Sequence, residues 1–330
     1  MKVAVYSTRR YDRLMLDRAN AAHGHELVYV QDALGPATTA LAEGCGAVCV
    51  FVNDNVDAAA LEALKGLGIG LVTTRSTGFN HIDAVAAQRL GIAATRVTDY
   101  SPYSVAEFAV GLLLAVNRRI ARASARTRDG NFELDGLMGV DLHGRTVGVV
   151  GTGKIGRIFA GIMRGFGCRV LGFDPYPHAE FAAIGEYVAL PRLLAESDVI
   201  SLHCPLTPDT FHLVNEQALR GIREGALLVN TSRGGLVDTE AVIGALKSRR
   251  LGGLAIDVYE QEADLFFQDL SATVITDDVI QRLVSFPNVI VTGHQAFFTA
   301  EAIGEIMQTT LDNISAFERG EPLKNLVPLP

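Results

Sequence analysis

Short runs of apolar and β-branched residues alternate along this chain with longer stretches of helical periodicity. One series of predicted strands covers residues 3–6, 26–30, 47–52, 70–73 and 92–94, and a second covers residues 146–150, 169–173, 199–203, 226–230, 253–256 and 289–292. Strands that alternate with helices form parallel sheets of βαβ units, and six strands are typical of a doubly wound dinucleotide-binding sheet. The pattern therefore predicts an α/β fold built on open parallel sheets.

Helical stretches over residues 12–22, 56–66 and 82–90 separate the strands of the first series. A longer helix is predicted after Ser101, which is a favourable N-cap, with Pro102 at the first helical position. Apolar residues lie on more than one face of this helix, so we expect it to be buried, either within the subunit or against a second one.

Polar or small residues follow nearly every strand of the second series. In chain order they are Gly151, Asp174, Cys204-Pro205, Thr231-Ser232-Arg233, Asp257 and Gly293-His294. Ligands of doubly wound sheets bind beyond the carboxyl ends of the strands. We therefore expect these residues to border one crevice.

A GxGxxG motif lies at the turn from the first strand of this series into the next helix. Its residues are Gly151, Thr152, Gly153, Lys154, Ile155 and Gly156. The three glycines permit a tight turn, a close approach of backbone to a pyrophosphate, and close packing of helix on strand. Alone the motif is weak, but its strand–turn–helix context predicts a dinucleotide site, with the phosphates on the helix N-terminus.

Asp174 ends the next strand, at the distance from the glycines where an acidic residue binds the adenosine ribose. A carboxylate there accepts hydrogen bonds from the ribose hydroxyls and repels a 2′-phosphate. The residues that follow, Pro175 to His178, include no arginine to receive one. NAD is therefore the predicted cofactor, in preference to NADP.

Three ionisable residues follow later strands and suit the reduction of a 2-keto acid: Arg233, Glu262 and His294. A guanidinium can bind a carboxylate through two parallel hydrogen bonds. A histidine beside a carboxylate is a suitable proton donor, because the anion favours the imidazolium. Taken singly, each could be an ordinary surface side chain. Together, beside a nicotinamide site, they predict that Arg233 binds the substrate, His294 delivers the proton and the cofactor supplies hydride.

Composition excludes several other classes of protein. Hydrophobic residues make up 48% and charged residues 20% of the 330, with a net charge of −8. That balance excludes a disordered chain and gives no basic surface for nucleic acid. The longest apolar stretch is too short to span a membrane, and the N-terminus has no signal-peptide pattern, so we expect a cytoplasmic protein. Cys45, Cys49, Cys168 and Cys204 have no metal or redox spacing and are predicted to be buried free thiols.

At this point the motifs resemble a known family, the D-isomer-specific 2-hydroxyacid dehydrogenases, over essentially the whole chain. The resemblance rests on Val3-Ala4-Val5-Tyr6-Ser7, Phe51-Val52-Asn53-Asp54, Gly78-Phe79-Asn80-His81-Ile82-Asp83, the glycine turn, Phe173-Asp174-Pro175-Tyr176-Pro177, Leu202-His203-Cys204-Pro205-Leu206-Thr207, Asn230-Thr231-Ser232-Arg233-Gly234-Gly235, Asp257-Val258-Tyr259-Glu260 and Gly293-His294-Gln295-Ala296-Phe297. It is strongest to the bacterial branch that interconverts pyruvate and D-lactate with NAD.

The resemblance implies site residues. The family's catalytic residues match Arg233, Glu262 and His294, and Asp257 matches a supporting residue near the nicotinamide. Backbone around Ser76, Thr77 and Gly78 would bind the substrate carboxylate, while Tyr100 and Phe298 would line and close the pocket. Lys154, Ile155, Cys204, Pro205, Thr231 and Ser232 would join the glycines, Asp174 and Asp257 around the cofactor.

The resemblance also implies two doubly wound domains with the active site in the cleft between them. Residues 1–100 and 299–330 would form a flavodoxin-like substrate domain, and residues 101–298 a Rossmann NAD domain. The helix after Pro102 would contribute to the interface of a homodimer or homotetramer.

Alternatives remain at this stage. Phe51, Tyr100 and Phe298 could border a pocket for side chains larger than methyl, so a bulkier 2-keto acid such as phenylpyruvate stays open. An NAD(H)-sensing regulatory protein could keep the same residues. A dehydrogenase of phosphorylated hydroxy acids would need extra basic residues in the pocket or an added regulatory domain, and neither can be identified.

Overall fold

The computed structural model describes residues 1–262 and 265–329. Its strands are β1 Lys2–Val5, β2 Glu26–Tyr29, β3 Ala47–Val50, β4 Leu71–Thr74, β5 Ala93–Thr95, β6 Thr146–Val150, β7 Arg169–Phe173, β8 Glu186–Tyr187, β9 Val199–Leu202, β10 Ala226–Asn230, β11 Leu251–Ile256 and β12 Val289–Val291. Its α-helices are α1 Arg10–Asn20, α2 Ala58–Gly66, α3 Ala84–Leu90, α4 Pro102–Asn117, α5 Ile120–Arg128, α6 Lys154–Gly165, α7 Ala179–Ala182, α8 Leu190–Glu196, α9 Glu216–Gly221, α10 Thr239–Lys247, α11 Asp278–Val284 and α12 Ala300–Glu318.

The chain divides into two compact units. The split unit comprises Met1–Ser101 and the stretch from Phe298 onward, and the central unit comprises Pro102–Phe297. Each has its own parallel sheet, which confirms the predicted α/β fold class.

The split unit has five strands in the order β2-β1-β3-β4-β5. This is the flavodoxin-like order, in which the chain reverses its direction of winding between β1 and β3. Every residue of β3 and β4 is buried. Strands covered on both faces are mostly apolar or β-branched, which is why these runs lack alternation.

The central unit has seven strands in the order β12-β11-β10-β9-β6-β7-β8. The six strands expected from the sequence are all present, but β8 was missed. It is two residues long, and Glu186 is exposed. In the usual order 3-2-1-4-5-6, β6, β7 and β8 take places 1, 2 and 3, and β9, β10 and β11 take places 4, 5 and 6. Strand β12 is therefore an additional seventh strand, at the edge opposite β8.

Apolar side chains cover both faces of the central sheet. Leu171, Ile200, Leu228 and Leu254 pack on one face, and Val147, Val149, Val170 and Val229 on the other. Helix α4 lies on the second face, against α6 and over β10 and β11, and nine of its residues are buried. Its apolar surface is therefore largely used within the central unit.

Side-chain caps fix where several helices begin. A carboxylate, amide or hydroxyl oxygen accepts from a backbone N–H of the first turn at Asp57, Asp83, Asn215, Asp238, Asp277 and Thr299. Such caps satisfy amides that the helix itself leaves unpaired.

All four cysteines are free and buried. Among the described residues, no helix combines the length and the apolar character that crossing a bilayer requires.

Candidate active site

The glycine turn after β6 has the shape that its motif predicts. Gly151 has φ +91°, and a Cβ there would lie 2.5 Å from the backbone nitrogen of Cys204. A Cβ on Gly156 would lie 2.0 Å from the carbonyl oxygen of Gly151. Gly153 is the N-cap of α6, and nothing lies within 4 Å of the Cβ it lacks. The backbone is therefore crowded within the turn and open at the start of the helix, where a pyrophosphate would bind.

Asp174 lies directly after β7 and is tied to the glycine turn. Its Oδ2 accepts from the backbone N–H of Thr152 at 2.7 Å and from the Thr152 hydroxyl at 3.0 Å. Its Oδ1 accepts from the backbone N–H of Tyr176 at 2.9 Å. These contacts fix the carboxylate beside the turn, and Oδ1, which accepts only one of them, keeps a lone pair for a further donor.

Hydrogen bonds join the ends of β9 and β10. The Ser232 hydroxyl donates to the carbonyl oxygen of Cys204 at 2.6 Å, and burial raises the pKa of the Cys204 thiol to about 11. Asn230 is buried; its amide donates to the Arg233 carbonyl at 2.9 Å and its Oδ1 accepts from the Ser232 N–H at 3.0 Å. The loop that presents Arg233 is therefore shaped by Asn230, which sequence reasoning did not single out.

A buried hydroxyl in this loop supports the fit of a polar cofactor. Thr231 Oγ1 has no hydrogen-bond partner in the part of the chain that the structure describes. A buried polar atom left unpaired is costly, so an acceptor or donor from a bound molecule suits this position. The other residues expected at the cofactor differ in exposure: Lys154 and Pro205 are exposed and Ile155 is half-buried.

Arg233 is exposed at the end of β10. Its Nη1 donates to the carbonyl of Ser232 at 2.7 Å. The next residue, Gly234, lies so close to the segment after β11 that a Cβ there would be 2.1 Å from the carbonyl carbon of Tyr259. The loop that carries Arg233 and the segment that leads to Glu262 are thus in direct backbone contact.

His294 follows β12 and forms a pair with Glu262. Imidazole Nδ1 lies 2.9 Å from Glu262 Oε1, and Glu262 Oε2 accepts from the backbone N–H of Tyr259 at 3.0 Å. The His294 side chain is 25% exposed and lies near the ring of Phe267, with centroids 5.7 Å apart. Because the carboxylate engages Nδ1, Nε2 is the ring nitrogen that can face a reacting oxygen.

Asp257 holds the loop that carries His294. The carboxylate is fully buried and accepts from the hydroxyl of Thr292 and from the backbone N–H groups of Gln295 and Ala296, the last two at 2.9 and 2.7 Å. Burial raises its pKa despite these bonds. His294 itself has φ +54°, a left-handed conformation unusual for histidine. Asp257, expected beside the nicotinamide, thus binds a side-chain hydroxyl before His294 and two backbone N–H groups after it.

A second histidine–carboxylate pair lies in the same region. His212 Nε2 is 2.6 Å from Glu260 Oε1, while Glu260 Oε2 accepts from the backbone N–H and the hydroxyl of Thr239 at the start of α10. The His212 ring stacks on Phe211, with centroids 3.9 Å apart. These contacts connect a loop to a helix start, which is a structural role.

The split unit holds the loop expected to bind the substrate carboxylate. The carbonyls of Ser76 and Thr77 accept from Val97 N–H at 3.0 Å and Arg96 Nη1 at 3.0 Å, and the Gly78 carbonyl accepts from the Ser76 hydroxyl at 2.7 Å. Carbonyl and N–H of one trans peptide point in opposite directions. The N–H groups of Thr77 and Gly78 are therefore directed away from these partners.

Arg75, directly before this loop, is a residue that sequence reasoning missed. It is 2% exposed; both Nη atoms donate to the carbonyl of Tyr6 at 3.2 Å, and Nε lies 3.4 Å from Asp12 Oδ1. The guanidinium also lies 5.4 Å from the ring centroid of Phe51. The sequence signal that could have marked Arg75 is a charged residue directly after a strand whose residues are all buried.

Two more residues expected at the substrate pocket lie in the split unit. Tyr100 is half-buried between β5 and α4. Phe298 is 49% exposed and meets Tyr11 edge-on, with ring centroids 4.7 Å apart.

Comparison with known proteins identifies the family. Residues 110–296 match the family model for the D-isomer specific 2-hydroxyacid dehydrogenase, NAD binding domain. D-lactate dehydrogenase of Escherichia coli strain K12 is 52% identical over 326 residues, which cover 98% of this chain and 99% of that protein. The aromatic 2-oxoacid reductase of Clostridium sporogenes is 37% identical, over 98% of each chain.

A solved structure agrees over the same length. The apo-structure of D-lactate dehydrogenase from Escherichia coli matches with a TM-score of 0.93 and 49% identity, covering 99% of this chain and 100% of that one. The chain therefore belongs to the D-isomer specific 2-hydroxyacid dehydrogenases and is an NAD-dependent oxidoreductase.

Proposed function

We propose that this enzyme interconverts pyruvate and D-lactate with NAD. Support comes from the names of its relatives, of which the Escherichia coli D-lactate dehydrogenase is 52% identical over nearly the whole chain. The observation that carries the chemistry is the His294–Glu262 pair at 2.9 Å, beyond the carboxyl end of a dinucleotide-binding sheet. A histidine held by an anion on one nitrogen can deliver a proton from the other.

The reduction divides among three groups of the protein. Arg233 binds the carboxylate of the keto acid and polarises its ketone, assisted by the backbone of Ser76, Thr77 and Gly78. Bound NADH supplies the hydride to C2. His294 transfers its proton to the ketone oxygen, so that one hydride and one proton convert C=O to CH–OH, and Glu262 orients and stabilises the imidazolium.

The cofactor would lie along the carboxyl ends of β6, β7, β9, β10 and β11. Its pyrophosphate would bind at Gly151, Gly153 and Gly156 and its adenosine ribose at Asp174. Lys154, Ile155, Cys204, Pro205, Thr231, Ser232 and Asp257 complete the proposed contacts. We assign residues 101–298 as the NAD domain and residues 1–100 and 299–330 as the substrate domain, bounds that differ by one residue at each junction from those of the compact units. Tyr100 and Phe298 would lie beside the substrate.

A panel of 2-keto acids of increasing bulk, each with NADH and NADPH, tests this function. Pyruvate with NADH should give the highest kcat/KM, and His294→Ala should lower kcat by ~10²–10⁴-fold while NADH still binds. NADH binding without turnover of any keto acid would instead identify a sensing protein. Full activity of His294→Ala would exclude the proposed proton donor.

A bulkier substrate is the second candidate. The aromatic 2-oxoacid reductase of Clostridium sporogenes is 37% identical, and aromatic rings occur at Phe51 and Phe298 of the proposed pocket. If kcat/KM for phenylpyruvate exceeds that for pyruvate, the same chemistry applies and the substrate assignment changes.

We also propose that the enzyme is a cytoplasmic homodimer or homotetramer. Large apolar side chains are exposed in the segment after α5, where Phe132, Leu134 and Met138 are 75, 82 and 91% exposed. A second copy of this chain would cover them. Light scattering coupled to size exclusion gives the mass; a monomer of 35.3 kDa would refute this assignment.

A further inference from the structure

A polar cavity of about 290 Å³ opens in the central unit at the amino ends of β6, β9, β10 and β11. This edge of the sheet is opposite to the one that carries the glycine turn, Arg233 and Asp257. The wall includes three arginines, Arg119, Arg145 and Arg223, and two carboxylates, Asp198 and Glu224. Nothing in the proposed reaction uses this cavity.

One carboxylate oxygen serves two of these arginines. Arg145 Nη1 and Arg223 Nε each lie 3.4 Å from Asp198 Oδ1. The other oxygen of Asp198 accepts from the backbone N–H of Thr146 at 2.9 Å. Both ion pairs are long and share a single acceptor, so the two guanidinium groups keep donors for another anion.

Arg119 adds an unpaired buried donor. Its Nη1 is buried, and among the described residues no acceptor lies within hydrogen-bonding distance of it. Arg119 also has φ +52° at the junction of α4 and α5. Burial, and then the nearby charge of Arg122, lower the pKa of its guanidinium. Arg119 is half-exposed as a residue, but a buried Nη1 without an acceptor is costly, and an acceptor inside the cavity would lower that cost.

Another part of the cavity wall is held by hydrogen bonds between Asn117 and Val140. Asn117, the last residue of α4, donates from its amide to the Val140 carbonyl at 2.8 Å and accepts from the Val140 N–H at 3.1 Å. These two bonds fix Val140 at the end of α4, and Val140 lines the cavity together with Met138 and Gly139. Part of the wall that Arg119 shares is therefore held by hydrogen bonds.

We propose that this cavity binds inorganic phosphate. Planar guanidinium groups match tetrahedral oxyanions through paired N–H donors. The binding site lies away from the carboxyl ends of the strands, so it is separate from the dinucleotide site, and its occupant would stabilise the junction that leads into the exposed segment with Phe132 and Leu134.

Thermal unfolding in phosphate, compared with chloride at equal ionic strength, tests the proposal. Saturating NADH is kept in every sample, so that the glycine turn does not take up phosphate. The wild-type Tm should rise by about 2–5 °C more than that of Arg119→Asn, and Arg223→Gln should also lose the rise. Asparagine suits the left-handed backbone, so in chloride Arg119→Asn should unfold at or above the wild-type temperature.

Arg128→Gln is the matched control, because Arg128 is exposed at the end of α5 and outside the cavity wall. It should retain the full phosphate response. Phosphate raises the stability of folded proteins in general, so only the difference in Tm shift between variants tests the site. An equal rise in wild type, Arg119→Asn and Arg128→Gln, or no rise in wild type, would overturn the proposal.

Discussion

Glu262 and Glu260 each pair with a histidine, but their surroundings give them different expected roles. Glu262→Gln removes the anion beside His294 and should lower kcat by about 10–100-fold, part of the ~10²–10⁴-fold that a general acid contributes, with little change in the binding of NADH. Glu260→Gln loses the His212 pair and weakens the start of α10, so it should lower Tm and largely retain kcat. Steady-state kinetics and calorimetry of both variants measure these effects.

The two variants control each other. If Glu262→Gln lowers only Tm, or if Glu260→Gln loses as much kcat as Glu262→Gln, the positioning role of Glu262 is wrong. The side-chain amide introduced by Glu262→Gln can still accept from the Tyr259 N–H through its carbonyl oxygen, so this substitution should preserve the local fold.

Asp174 should determine the choice of cofactor. Asp174→Ser removes the charge that repels a 2′-phosphate but keeps a hydroxyl that can accept from the Thr152 N–H. The preference for NADH over NADPH, as a ratio of kcat/KM values, should fall at least about tenfold, or ~1.4 kcal/mol. An unchanged ratio would mean that another group excludes NADPH.

Several site residues could be located from the sequence because the ends of buried strands can be recognised in it. Asp174, Arg233 and His294 each follow an apolar run, and parallel strands bring such positions to one edge. The parts that could not be predicted depend on side chains turning back onto backbone. Asn230 and Asp257 bind the loops that present Arg233 and His294, and no spacing in the sequence encodes those contacts.

At the scale of the element, the start of α6 is the most constrained point. Gly156→Ala would place a Cβ 2.0 Å from a backbone oxygen and should destabilise the protein by about 3 kcal/mol or more. Gly161→Ala in the same helix meets nothing within 4 Å and should stabilise it by ~0.5–1 kcal/mol. Urea unfolding measures the free energy of unfolding of both variants, which should change in opposite directions. A mild effect of Gly156→Ala would contradict the close packing.

Strands differ in how well they can be predicted. Five-residue β6 and β7 were predicted with their observed bounds, because β-branched and apolar residues fill them. Strand β8 pairs with β7 through only Glu186 and Tyr187, at the edge of the sheet. Two residues carry no periodicity, and only tertiary pairing makes them a strand.

At the scale of the whole molecule, each unit contains a half-buried histidine that resists protonation. Burial lowers the pKa of His81 to about 4 and that of His203 to about 3. Below pH ~6.5 the unfolded chain therefore binds protons that the folded chain does not. Stability should fall as the pH drops from about 6.5 to 5.5, by at most about 1.4 kcal/mol per pH unit for each histidine.

His203→Gln tests this sign, since the glutamine amide has the length to reach the position of Nε2 and to keep a hydrogen bond to the Ser201 hydroxyl, which lies 2.9 Å from that nitrogen. Between pH 6.5 and 5.5 the variant should lose less stability than wild type in urea titrations. His178→Asn, at an exposed position, should follow the wild type. A wild type whose stability is independent of pH in this range would contradict the prediction.

The side chains proposed for chemistry, Arg233, Glu262 and His294, all belong to the central unit, whereas Phe51, Tyr100 and the loop from Ser76 to Gly78 belong to the split unit. On the proposed assignment, substitutions that change the preferred substrate would fall in the split unit and leave the proposed proton donor unchanged. A chimera that takes its split unit from the aromatic 2-oxoacid reductase should inherit that protein's preference while it keeps this chain's hydride chemistry.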